Sequence, residues 1–205
     1  MDPCDLKTED DRSRPNILVT GTPGSGKTCT SALIAERCGF AHVNVTELVK
    51  AEELHDGMDE KWDSLILNDD KVCDHMEEMM GEGGNVVDFH TCGFFPERWF
   101  DLILVLRADN TVLFDRLTKR GYSPHKITEN VQCEIMQVVL QEARDSYAAE
   151  RVHELHSDSL EQMEANVERA VGWAGAWIAA KGDGGGDGGG GGGGAAAAPS
   201  PPGGV

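Results

Sequence analysis

Residues 21–28 read Gly-Thr-Pro-Gly-Ser-Gly-Lys-Thr and fit the pattern G-x-x-x-x-G-K-[ST], with Gly21, Gly26, Lys27 and Thr28 on its fixed positions. No other stretch constrains the fold as strongly, because such a loop works only between a strand and a helix. Both flanks comply. Asn16-Ile17-Leu18-Val19-Thr20 is a short apolar run with strand character, opened by Pro15, and residues 27–38 have helical composition closed by Cys38-Gly39. The glycines let backbone N–H groups curl inward around phosphate oxygens, and the helix start adds its partial positive charge. Lys27 is then expected to reach the β- and γ-phosphates of a nucleotide, and the Thr28 hydroxyl to ligate Mg²⁺. The alternative is a glycine-rich turn that matches by chance, and the flanks argue against it.

A chain of 205 residues suggests one domain with room for a sizeable core. No apolar run approaches the length of a membrane span. The acidic start, Met1-Asp2-Pro3-Cys4-Asp5, fits neither a secretory signal nor an Arg-rich transit peptide. The six cysteines form no C-x-x-C pair, which argues against a zinc site or a disulfide framework and for a reducing compartment. Cys29 and Cys38 fall on the first helix, where a free thiol is expected to act as a small buried hydrophobe. The net charge of −18 argues against nucleic-acid binding through a basic face. It suits a basic protein partner, or it simply keeps the chain soluble.

Residues 1–14 read as a flexible acidic extension. A second strand is expected at 40–45, then a helix capped by Thr46 and starting at Glu47. Residues 52–70 look acidic and irregular, with a turn at Asp56-Gly57. A helix over 70–80, opened by Asn68 or Asp69, leads through Gly81-Glu82-Gly83-Gly84 to a buried strand at 85–89. Residues 101–107, Asp-Leu-Ile-Leu-Val-Leu-Arg, are the clearest buried parallel strand. A helix follows at 110–120, then a break at Gly121-Tyr122-Ser123-Pro124, then one long helix over 127–149. A last strand at 152–155 and a closing helix over 160–180 complete the pattern. Alternating strands and helices predict an α/β fold: a central parallel sheet covered by helices on both faces. Residues 182–205, glycine then alanine then proline-rich, have almost nothing to bury and are expected to be disordered.

Asp88 ends the strand at 85–89, beside the expected loop position, where a carboxylate can hold the shell of Mg²⁺, usually through water. It could instead cap a following turn. His90 lies two residues on and faces the same side, so it can orient or deprotonate a water near the γ-phosphate. Structural use is the alternative for a loop histidine. Arg116 and Arg120 share a helical face before Gly121, as phosphoryl-stabilising guanidinium groups on a closing lid would. The alternative is a solvated basic face with Lys119. Arg107, at another strand end, is a further candidate of this kind. Trp62, Trp99, Trp173 and Trp177 read as packing, although Glu97-Arg98-Trp99 could line an acceptor pocket. The other histidines show no ligand pattern, so no metal beyond nucleotide-borne Mg²⁺ is expected.

Taken in order, several strings resemble the adenylate kinase isoenzyme 6 family. They are the Gly-Thr-Pro-Gly-Ser-Gly-Lys-Thr loop, Asn44-Val45 with Leu48 and a basic residue, Asp56-Gly57, and Val87-Asp88-Phe89-His90. Phe94-Phe95-Pro96-Glu97-Arg98-Trp99-Phe100, Arg120-Gly121-Tyr122 and Asn130-Val131-Gln132-Cys133-Glu134-Ile135 continue the series. The resemblance runs from about Pro15 to Lys181. A short loop entered directly from the first strand is also what small nucleoside and nucleotide kinases use. The resemblance implies a P-loop NTPase three-layer sandwich over 15–181, a monophosphate-binding region near 44–67 and a short lid near 119–129. It implies phosphoryl transfer from Mg·ATP to AMP and other monophosphates, ATP hydrolysis, and a role late in small ribosomal subunit maturation (18S rRNA). It further implies a monomer in nucleus and cytoplasm that engages a basic small-subunit ribosomal protein or pre-ribosomal particle, with no membrane and no sequence-specific nucleic-acid contact.

By this resemblance Gly24, Gly26, Lys27, Thr28 and Cys29 fall on ATP-phosphate positions, Arg120 on the lid arginine, and Asp88 and His90 on the Asp-x-His pair. Lys27, Asp88, His90 and Arg120 are the implied catalytic set, and Asn44 and Lys50 the implied acceptor contacts. Three positions depart from the family. Cys29 replaces a usual threonine, so a backbone contact survives there and a hydroxyl contact does not. Thr91-Cys92-Gly93 replaces Gly-Cys-Asp. Lys50 replaces arginine, keeping the charge without the bidentate fork, so weaker or broader acceptor use is expected. Two other readings remain beside the kinase: an ATP-hydrolysing assembly switch, and a different small P-loop kinase, for example of shikimate or a nucleoside.

Overall fold

The computed structural model describes residues 12–59 and 64–183. The expectations for residues 1–11, Trp62 and residues 184–205 lie outside these. Strand β1 (Ile17–Gly21) leads into helix α1 (Lys27–Cys38), β2 (Ala41–Asn44) and α2 (Val45–Ala51). The chain continues through β3 (His55–Asp59), β4 (Ser64–Leu67), α3 (Asp69–Glu82) and β5 (Asn85–Asp88). It then forms β6 (Leu102–Arg107), α4 (Asn110–Lys119), α5 (Pro124–Ile135), α6 (Val138–Ser146), β7 (Val152–His156) and α7 (Leu160–Asp183). Among the described residues no helix is long and apolar enough to cross a membrane.

The main sheet runs β2-β5-β1-β6-β7, with every neighbouring pair parallel. Successive side chains of a strand point to opposite faces, and the apolar strands therefore feed two cores. Leu18, Val87, Ile103 and Val105 meet α3, α6 and the aromatic loop Phe89, Phe95, Trp99, Phe100. Ile17, Val19, Val86, Leu104 and Leu106 face the other way, against Ile34 of α1 and Val167, Trp173 and Trp177 of α7. The expected covered sheet is thus realised as three layers. Trp99, Trp173 and Trp177 are buried packing residues, as read from the sequence.

Topology fixes where a ligand can sit. From the central β1 the chain crosses to β2 on one side, and from β6 it crosses to β7 on the other. At such a reversal the carboxyl ends of the strands open a crevice. The loop after β1, Asp88 at the end of β5 and Arg107 at the end of β6 all lie at that end.

Four local expectations are corrected. Helix α2 starts at Val45, because Asn44, in extended conformation, accepts the Glu47 amide at 3.0 Å and caps the helix in place of Thr46. Residues 55–67 include an antiparallel hairpin, with a register shift at Gly57, whose φ is +122°. Its strands are poor in β-formers, and it is held by Leu65 and Leu67 packing against the core. The long helix expected over 127–149 is two, α5 and α6, broken where Gln137 adopts left-handed φ +56°. The break lets Ile127 pack on α4 while Leu140 and Ala143 pack on the sheet. Finally Arg12, placed in the flexible extension by sequence, is buried: it pairs with Asp101 at 3.0 Å and donates to the Arg98 carbonyl at 2.9 Å.

Candidate active site

The loop after β1 is built around backbone that side chains would obstruct. Gly21 has φ +144°, and a Cβ there would sit 2.4 Å from the Leu106 carbonyl oxygen. Gly24 has φ +97°, and a Cβ there would lie 2.8 Å from Leu113 Cδ1. Gly26, left-handed at φ +99°, is the N-cap of α1 and offers no side-chain cap. The first N–H groups of α1 are thus left for an external acceptor, which is the arrangement that binds phosphate.

Lys27 folds over the loop, its amine donating to Gly21 O at 2.8 Å and Thr22 O at 3.3 Å. Burial lowers its pKa to about 8; Asp88 and Glu134 pull it up, and Arg120 pushes it further down. Thr28 and Cys29 follow and are exposed to the cleft, so Cys29 is not the buried hydrophobe expected from the sequence: the first turn of α1 faces the cleft, not the core. Across the cleft Asp88 is only 3% exposed, and its Oδ2 accepts from Asn44 Nδ2 at 3.0 Å. Parallel register sets this pair, since Asn44 lies opposite Asp88 on the adjacent strand. His90 stands at the rim with its ring 4.3 Å from that of Phe89. Desolvation, then the charge of Lys27, holds its pKa below the ordinary imidazole value. Arg120 caps the end of α4 and is exposed.

One cavity of about 460 Å³ is lined by the loop, by Asn44 and Thr46, by Asp88 and His90, and by Arg120, Tyr122, Lys126 and Asn130. A second cavity of about 460 Å³ lies on the other side of Arg120, between Cys29 of α1 and Ser157, Leu160 and Met163. The structure therefore brings Gly24, Gly26, Lys27, Thr28, Cys29, Asn44, Asp88, His90 and Arg120 to one place.

Other candidates go elsewhere. Lys50 is exposed, 3.5 Å from Glu47 Oε1, and does not line the cleft. Asn44 does line the cleft, but its amide is engaged by Asp88 and its carbonyl oxygen caps α2, so it positions the carboxylate rather than offering a free group. Arg116 bonds the carbonyls of Gly24, Ser157 and Asp158 at 3.3, 2.8 and 3.0 Å, clamping loop to sheet end. Arg107 is consumed by Glu134 and Glu154. Gly93 donates its amide to Glu142 Oε1 at 2.9 Å, and Thr91 and Cys92 bond the same oxygen. A side chain at Gly93 would press on that carboxylate, its Cβ 3.0 Å from Oε1. Arg98 and Trp99 both bond Glu77, at 2.7 and 3.2 Å, and neither lines the cleft.

Two residues escaped the sequence reading: Glu142, which holds the loop after His90, and Glu134, which reaches the phosphate loop from α5. A signal for Glu134 existed. It sits on the face of α5 that carries Ile127 and Val131, where a carboxylate on an apolar stripe needs a partner.

A pH dependence follows from Lys27. Its amine is charged below about pH 8 in the folded chain, but up to its ordinary 10.5 when unfolded. Between those values the unfolded chain binds more protons, so rising pH favours folding while removing the charge that a phosphate needs. We expect kcat/KM for a nucleotide to fall above about pH 8, with the limb in kcat displaced upward because bound phosphate holds the proton. A profile of both parameters from pH 6 to 10 checks this; a flat kcat/KM across that range would contradict it.

Comparison with known proteins agrees with this geometry. Residues 17–137 match the family model described as an AAA domain. The adenylate kinase isoenzyme 6 homolog of Dictyostelium discoideum is 53% identical over 166 residues, covering 81% of this chain and 95% of that protein. The homolog of Caenorhabditis elegans is 48% identical over 172 residues, covering 83% and 94%. Among solved structures, shikimate kinase from Bacteroides thetaiotaomicron superposes with a TM-score of 0.54 at 18% identity, over 76% of this chain and 95% of that one. That likeness is one of fold, the P-loop kinase sandwich.

Proposed function

The chain belongs to the adenylate kinase isoenzyme 6 family, P-loop proteins of nucleotide-kinase type, and on that premise we propose that it transfers the γ-phosphoryl group of Mg·ATP to AMP. One observation carries the reading. A single cleft is lined on one wall by the phosphate loop with Lys27 and Thr28, on the other by Asn44, Thr46 and Asp88, and on the lid side by Arg120. Donor and acceptor can meet in it only with their phosphates facing each other. The cavity behind Arg120, with Leu160 and Met163 as apolar wall, suits the donor's base.

The chemistry asked of the protein is placement and charge. Loop amides and the start of α1 hold the β-phosphate. Lys27 exchanges its two carbonyl partners for phosphate oxygens, and Arg120 supplies the second cation to the transferring group. Mg²⁺ carried by the nucleotide neutralises charge between the phosphates; the exposed Thr28 hydroxyl and the Asp88 carboxylate, held in place by Asn44, are the residues that would hold it. His90, favoured in its neutral form, can accept a proton or orient a water at the rim.

A second reading has its own support. Lys50 lies outside the cleft, so the acceptor wall is short of a cation, while Asp88 and His90 stand where a hydrolytic water would be placed. In this reading the fold serves chiefly as an ATP-hydrolysing switch. Either way we place the protein in small ribosomal subunit maturation, in nucleus and cytoplasm, on a basic ribosomal partner, a role consistent with its net charge of −18. The test is ADP formation from Mg·ATP with and without AMP, on wild type and His90→Ala. Acceleration by AMP of tenfold or more supports the kinase. Hydrolysis that needs His90 and ignores AMP favours the switch and sinks the kinase assignment.

A further inference from the structure

Glu134 is a carboxylate only 3% exposed, near the end of α5, and none of the steps above uses it. Its Oε2 accepts the Thr22 hydroxyl at 2.5 Å. Its Oε1 accepts Arg107 Nε at 2.5 Å and the Ala108 amide at 3.3 Å. Arg107 also reaches the Glu134 carbonyl at 3.1 Å and turns Nη1 to Glu154 at 2.7 Å. The buried charge is therefore already compensated on the side away from the loop. The bond to Thr22 is not needed for that compensation; it extends the network into the second residue of the phosphate loop.

Thr22 is a pivot there. Its carbonyl accepts the Ser25 amide at 3.1 Å, closing the turn, and the Lys27 amine at 3.3 Å. At the other end, α5 begins within residues 119–129, the stretch expected to form the lid, and its Lys126 and Asn130 line the nucleotide cleft. One helix thus forms part of the cleft wall and grips the loop beneath it.

We propose that Glu134 is a positioning residue of the phosphate loop, tying the loop's nucleotide-binding shape to the lid helix through the Thr22 hydroxyl. A hydrogen bond from a hydroxyl to a buried carboxylate is charge-assisted and directional, which suits it to holding one backbone arrangement.

The inference rests on the nucleotide-binding reading, and its test separates the two. Thr22→Val removes the hydroxyl and keeps the shape, leaving Glu134 with Arg107 and Ala108. We expect Mg·ATP binding by calorimetry to weaken about tenfold, on the order of one charge-assisted hydrogen bond, with the thermal midpoint lowered by only a few degrees. Thr22→Ser should bind within about twofold of wild type. Unchanged ATP binding by Thr22→Val, or a loss in Thr22→Ser as large as that in Thr22→Val, would overturn the proposal. Failure of wild type itself to bind Mg·ATP would overturn the underlying reading, and this one with it.

Discussion

Lys27→Ala is expected to lower kcat/KM for Mg·ATP by about 10²–10³-fold while leaving the fold intact. Among the described residues the amine bonds two carbonyls of its own loop, Gly21 O and Thr22 O, and its removal breaks no long-range hydrogen bond there. Burial already works against its charge, pulling its pKa to about 8, so the folded chain gains little by holding it. That combination, a cation kept where burial disfavours it, is what a site does to have charge ready for a ligand. The thermal midpoint should therefore stay level or rise while turnover collapses. Steady-state kinetics beside a melting curve checks both halves. Turnover within threefold of wild type would remove Lys27 from the mechanism.

The second large effect concerns Asp88. Asp88→Asn keeps size and burial but removes the negative charge and sets an amide against Asn44 Nδ2, which lies 3.0 Å from the carboxylate. We expect kcat to fall by about 10²-fold and the Mg²⁺ concentration needed for half-maximal turnover to rise. The two readouts separate causes. A fold defect would lower turnover at every Mg²⁺ concentration alike, whereas loss of a carboxylate beside the metal makes the deficit deepest at low Mg²⁺. A Mg²⁺ titration superimposable on wild type would show that Asp88 serves only as a partner of Asn44.

What could be read from the sequence was what local chemistry dictates. The phosphate loop is legible because backbone at φ +144°, +97° and +99° admits little but Gly21, Gly24 and Gly26. The sheet is legible because strands buried on both faces must be continuously apolar, as Leu102–Arg107 nearly is. Asp88 and His90 followed from strand ends, since a parallel sheet collects its carboxyl ends at one edge.

The parts that were not legible depend on partners distant in the chain. Arg107 and Arg116 each look like a phosphate ligand, and only the fold supplies the Glu134 carboxylate and the Gly24, Ser157 and Asp158 carbonyls that occupy them. The hairpin at residues 55–67 is held by pairing and by contacts to the core, not by its own propensity. The break at Gln137 carries no glycine or proline to announce it; beyond it Leu140 and Ala143 are buried in the core on one face of the sheet. Lys50 came from the resemblance alone, and nothing in the local sequence says that its amine lies beside Glu47, outside the residues that line the cleft.

The account's central claim is that one cleft holds two nucleotides with their phosphates facing. The most direct test is inhibition by a dinucleoside pentaphosphate, which joins two adenosines through five phosphates, against varied ATP and then varied AMP. The account predicts competition with both substrates, one molecule bound per chain, and loss of binding in Lys27→Ala. Competition with ATP alone, with AMP saturation leaving inhibition untouched, would contradict a shared cleft and leave the chain an ATP-binding protein without an acceptor site.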